Sequence, residues 1–118
     1  MTVKSELDLR RIALLEDIRS QGDKTWEVLA PRYGVTHADP PWKTSLIAMC
    51  DCLGESGAIP NLERRNAEDE LAEAVYSDVP AAERQLLTLV HTMLSRGLVA
   101  EEELANHMRA VRSRLEAV

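Results

Sequence analysis

Apolar residues recur at helical spacing along nearly the whole chain. Val3, Leu7, Leu14 and Ile18, flanked by Ile12 and Leu15, form one stripe at i, i+3/i+4 and i+7 positions, the pattern of a helix with one buried face. The spacing predicts an amphipathic helix over residues 3–20, stopped by Gly22. One or two helical turns are expected within residues 23–30. From Pro31 to Pro41 the chain carries three prolines, a glycine and an aspartate, which read as a linker. Asp39 is the expected N-cap of the next helix, with Pro40 in its first turn. That helix should reach about Ser56 and stop at Gly57. Another is expected from Asn61 or Leu62 to about Val75. Ser77 or Asp78 is the expected cap of the next, with Pro80 in its first turn, and Gly97 ends it. The last helix should start at Glu101. Its acids Glu101, Glu102 and Glu103 lie at the positive end of its dipole, and Arg109, Arg112 and Arg114 lie toward the negative end.

The fold expectation is therefore all-α, with five to six helices and no sheet. A weak repeat, 40 positions apart, joins Leu46-Ile47-Ala48-Met49 to Leu86-Leu87-Thr88-Leu89 and Gly57-Ala58-Ile59 to Gly97-Leu98-Val99. Each unit is an apolar helix, a glycine that turns the chain, an apolar pair and an acidic helix start. Two packed helix-turn-helix corners result; simple convergence of two helical hairpins gives the same pattern. Residues 1–41 read as a helix and linker arm, and 42–118 as the helical domain.

Composition narrows the class. At 118 residues and 13.2 kDa the chain is one domain's worth, with an expected folded surface of ~6,400 Å². Apolar residues make up 45% and charged residues 29%, which is globular. The aromatics are Trp26, Trp42, Tyr33 and Tyr76, with no Phe, too few for a β-sandwich or barrel. A net charge of −6 argues against a grip on a phosphate backbone. No apolar run approaches the ~20 residues that span a bilayer, and the first residues lack a signal-peptide stretch. A cytoplasmic protein that binds neither nucleic acid nor membrane is expected.

Few residues offer chemistry. Cys50 and Cys52 lie two positions apart, roughly 200° around a helix, so they do not face one ligand together. No second Cys or His pair completes a metal site, and small buried side chains are the expected role. His37 lies in the linker, His91 inside an apolar helix as a core or boundary residue, and His107 on the surface of the last helix. No nucleophile has an evident base beside it, and no glycine-rich phosphate loop is present. A DNA-reading helix after Gly97 would present Glu101-Glu102-Glu103 to the groove, which disfavours that use. Glu63-Arg64-Arg65 is the informative cluster. Two arginines in the first turns of a helix oppose its dipole. They form either a solvated face with pairs Arg64–Glu68 and Arg65–Asp69, or a guanidinium fork for an oxyanion.

Those residues carry a resemblance. Trp42, Leu46 through Cys52-Leu53, Gly57, Glu63-Arg64-Arg65, Val79-Pro80, Glu83-Arg84, Leu86-Leu87, Gly97-Leu98-Val99 and Glu103-Leu104 are similar, in order and spacing, to the helical β subunit of thiocyanate hydrolase and the N-terminal helical half of nitrile hydratase β subunits. The likeness covers about residues 42–116, roughly two-thirds of the chain. It implies a non-metal chain in a heteromeric nitrile hydratase-type lyase, which hydrates a nitrile to an amide or acts on a related pseudohalide. Cobalt(III) or iron(III) would sit in a separate α-type subunit, on a claw of cysteines oxidised to sulfenate and sulfinate. By the same likeness Arg65 matches the arginine that reaches the claw, and Arg64 its neighbour. A guanidinium has five fixed donors and no competing acceptor, so it can orient such oxygens and tune the metal behind them. Trp42, Glu83 and Arg84 would lie at the subunit contact. A small β-barrel would be a further, separate subunit.

Two departures matter. Where the family commonly has aromatic residues, this chain has Ala81 and Ala82. Residues 1–41 fall outside the likeness and are expected to act as a docking element. Related activators, metallochaperones that load the α subunit, resemble the same helical half and give a second reading. An unrelated helical interaction module is the third.

Overall fold

The computed structural model describes residues 7–35 and 39–117, and among them it is all-α. Six α-helices follow in order: α1 Ala13–Arg19, α2 Trp26–Arg32, α3 Lys43–Ser56, α4 Asn61–Ala74, α5 Ala81–Ser95 and α6 Glu101–Glu116. A 3-10 turn, Gly22–Lys24, joins α1 to α2.

α5 organises the core because two of its faces are apolar. Leu87, with Val90 and Leu94 beside it, meets Leu15, Leu71, Val75, Tyr76 and Val79. Leu89, with Leu86 and Met93, meets Leu46 and Cys50 of α3, with Trp42 and Leu53 alongside. A helix buried on two sides needs apolar residues around most of its circumference. Its buried threonines are satisfied within the helix: Thr88 Oγ1 donates to the Gln85 carbonyl (3.0 Å) and Thr92 Oγ1 to the Thr88 carbonyl (2.8 Å).

Gly57 and Gly97 end α3 and α5 as expected, whereas Gly22, the expected stop of the first helix, opens the 3-10 turn without a positive φ and α1 is closed by Ser20. Gly57 and Gly97 take φ of 80° and 73°, a region that costs other residues energy. At the end of α5 the Gly97 amide donates to Leu94 and the Leu98 amide to Met93, the two bonds of a Schellman motif. The α3 corner is looser by one residue, with the Ile59 amide donating to Leu53, and Ile59 is fully buried. α2 ends in a second Schellman motif. Gly34 (φ 73°) donates to Pro31, and Val35 donates to Ala30.

Several expectations need correction. The predicted helix over residues 3–20 is helical only at Ala13–Arg19, since residues 7–12 are not helical. Residues 1–6 lie outside the described residues. The cause is Asp8. Its amide donates to Ser95 Oγ (2.9 Å), its carbonyl meets His91 Nε2, and its carboxylate accepts from the Arg10 amide (2.9 Å). These bonds take the backbone groups a helix would need. Leu7, Ile12 and Ile18 still pack on the core, and Leu15 is 1% exposed within it. Between Leu7 and Arg19, then, this stretch packs on the chain's own core. The linker begins later than expected, because α2 continues through Pro31 to Arg32.

Neither Asp39 nor Asp78 caps a helix. Trp42 and Pro80 occupy the N-cap positions of α3 and α5, while Asp39 pairs with Lys43 (3.1 Å) and Asp78 with Arg19. Carboxylates from distant helices cap instead. Glu83 of α5 accepts from the Trp26 amide at the start of α2 (2.7 Å), and Glu101 of α6 accepts from Leu14 in the first turn of α1 (3.0 Å). Acids at helix N-termini satisfy free amides and complement the dipole.

The structure is extended for its size. Its Cα radius of gyration is 15.1 Å, against ~13.5 Å for a compact domain of this length. Its surface is 8170 Å², roughly a quarter above the ~6,400 Å² expected.

Candidate functional site

The two arginines singled out by sequence stand in the second turn of α4 and face different ways. Arg65 is exposed and makes no ion pair among the described residues; the expected pair with Asp69 is absent. Arg64 turns inward, with its side chain 16% exposed and Nη1 3.5 Å from Glu68. Its Nε is buried and has no hydrogen-bond partner. A buried donor without an acceptor costs about 1–3 kcal/mol. Arg64 lies close enough to Cys50 of α3 to act on its thiol. Burial pushes the Cys50 thiol above its ordinary value, and the Arg64 charge opposes that shift. Cys50 is buried and Cys52 exposed, the opposed placement expected of i and i+2.

The acid nearest in sequence does not neutralise either arginine. Glu63 is engaged by Arg96 Nη2 (2.8 Å), whose other arm donates to the Ala58 carbonyl (3.1 Å). Arg96 thereby ties the α3–α4 corner to the end of α5. Sequence reading missed it, since only its position beside Gly97 hinted at a role. What remains near the start of α4 is the positive end of a helix dipole plus the exposed guanidinium of Arg65, since Arg64 pairs with Glu68 and its free Nε is buried. Such a place attracts an oxyanion.

The other expected site residues lie elsewhere. Trp42 is half-buried against the cluster of Leu46, Cys50 and Leu89. With Ala81, Ala82, Asp39, Pro40 and Gln85 it lines a recess of about 230 Å³, where the alanines leave room. Glu83 is spent on the start of α2. Arg84 is half-buried with no ion pair among the described residues. Trp42, Glu83 and Arg84 sit at the starts of α3 and α5, whereas Arg96, just past the end of α5, holds the Ala58 carbonyl after α3 and Glu63 near the start of α4. The fold does not gather them into one site with Arg64 and Arg65. Among the described residues, no three His, Cys, Asp or Glu stand together as a metal site. His107 is exposed on α6, and His37 lies outside the described residues. No helix of the described residues is long and apolar enough to cross a membrane.

His91 is a satisfied core histidine. It is fully buried, and its Nδ1 lies 2.7 Å from the Tyr76 hydroxyl. The Asp8 carbonyl can only accept, so Nε2 carries the proton and Tyr76 donates to Nδ1. The rings meet edge to face at 5.6 Å and 81°. Burial raises the Tyr76 hydroxyl well above the usual phenol range. A groove of about 810 Å³ runs between α1–α2 and the start of α5. Apolar Ile18, Val28, Val79 and Leu87 line it together with charged Glu16, Arg19 and Asp78.

Compared with family models, curated proteins and solved structures, the chain matches none.

Proposed function

We propose that this chain is the non-metal β-type subunit of a heteromeric nitrile hydratase-type enzyme, with Arg65 as its contribution to the partner's site. The reading rests on the resemblance over residues 42–116 and on one observation. Arg65 is exposed and unpaired among the described residues, beside an Arg64 whose Nε lacks an acceptor. A cobalt(III) or iron(III) centre in an α-type subunit would supply Lewis-acid activation of the nitrile. This chain's task is different. Arg65 would donate its fork to an oxidised cysteine of the partner, holding that oxyanion charged and oriented. Arg64, turned inward, would keep the start of α4 positive and fix its place against α3. The small β-barrel would be a separate chain.

Ala81 and Ala82 favour a second reading, because they line the recess with Trp42 at positions where the family commonly has further aromatic residues. An activator that loads metal into the α-type subunit does not need them.

Arg65→Lys, in the complex isolated from the native cell, separates these readings. The lysine keeps the charge and loses the planar fork. Assembly intact with turnover reduced tenfold or more is expected of the subunit. Unchanged turnover removes Arg65 from the mechanism.

A further inference from the structure

α6 carries an apolar face that this chain leaves largely bare. Leu104, Met108, Val111 and Leu115 follow at spacings of four, three and four, the heptad seam of a two-helix coil. Met108, Val111 and Leu115 are 38%, 43% and 72% exposed, and every residue from Asn106 to Ala117 is exposed. A free-standing helix of this length is marginal in water on propensity alone. The large surface of the molecule fits a chain that covers some of it in an assembly.

Charge selects the cover. Glu102 and Glu103 sit at one end of α6, and Arg109, Arg112 and Arg114 toward the other. Glu102, Glu103, Arg109 and Arg114 make no ion pair among the described residues. A parallel copy of α6 would set acid against acid and base against base. An antiparallel copy sets each acidic end beside a basic one. We infer that α6 is a self-association surface, which pairs antiparallel with α6 of a second copy about a two-fold axis between Met108 and Val111. Met108 then packs on Val111 of the second copy and Leu104 on Leu115, while Arg114 comes within about a turn of the second copy's Glu103. The contact is isologous and closes at two. The inference does not rest on the enzyme reading.

Sedimentation equilibrium of the full chain, from micromolar to millimolar, tests it. The mass should rise from 13.2 kDa toward twice that value. Val111→Glu with Leu115→Glu changes only exposed positions, so the far-ultraviolet circular dichroism should hold while the dimer weakens about tenfold or more. Glu102→Arg with Glu103→Arg, and separately Arg112→Glu with Arg114→Glu, should each be monomeric, and an equimolar mixture of the two should dimerise again. A wild-type chain that stays monomeric at millimolar concentration overturns the inference. So does a Val111→Glu/Leu115→Glu variant that dimerises like wild type, or a pair of charge-reversed variants that do not restore each other.

Discussion

Tyr76→Phe removes one oxygen from a fully buried polar contact of the core. The ring stays, so the fully buried site keeps its volume and its edge-to-face packing on His91. What is lost is the 2.7 Å bond to His91 Nδ1, which leaves a buried acceptor with no donor. Nε2 cannot compensate, because it is committed to the Asp8 carbonyl. The full desolvation penalty of that acceptor then falls on the folded state, about 1–3 kcal/mol. For a chain of this size, that lowers the melting temperature by roughly 4–12 °C. Calorimetry and urea titration at neutral pH read the loss. The pH dependence adds a second check. Burial raises the Tyr76 hydroxyl above its unfolded value of about 10, so the neutral form is the one the fold holds. Its stabilisation is complete below that value and declines as pH rises past it, by at most about 1.4 kcal/mol per pH unit for one proton. Tyr76→Phe should lack this alkaline slope. A variant as stable as wild type at neutral pH, with an unchanged alkaline slope, refutes the assigned donor and acceptor.

Three further outcomes are expected. Glu83→Ala removes the acceptor of the Trp26 amide, so hydrogen exchange across residues 26–32 should quicken, with a stability loss of about 0.5–2 kcal/mol. Gly97→Ala has open space for its methyl but a φ of 73°, and should cost about 1–2 kcal/mol in thermal unfolding; Gly22→Ala, open and without a positive φ, should cost little. Arg10 holds the Asp8 carboxyl down at about 2, and Arg19 lowers that of Asp78. Both pairs stabilise the fold above the unfolded carboxyl value of about 4, and the gain is lost as pH falls toward 2; Asp78→Asn should flatten that part of the acid profile.

Helices α3 to α6 were legible because their signals are local. Apolar spacing sets each face, and Gly57 and Gly97 mark the stops. The Gly34-Val35 step carries the same glycine-then-apolar signature, and weighing it above the nearby prolines would have revealed the end of α2. Other features are tertiary and leave no local trace. Residues 3–20 show a helical stripe, yet Asp8 bonds to Ser95 and His91, 87 and 83 positions away. Likewise Glu83 and Glu101 cap helices 57 and 87 positions distant, so the nearby acids that look like caps do other work. At the candidate site, the position of Arg64 and Arg65 at the start of α4 could be read from sequence. Their opposite orientations could not, because the packing of α4 on α5 decides which of the two side chains turns inward. Nor could the diversion of Glu63 to Arg96, which depends on two corners meeting.

Native mass spectrometry with metal analysis, on the protein gently isolated from its own cell, tests the central claim most directly. A stoichiometric complex with a cobalt- or iron-bearing chain that carries a claw of oxidised cysteines is the expected result. A mature, metal-loaded enzyme of that type that forms and works without this chain would contradict it.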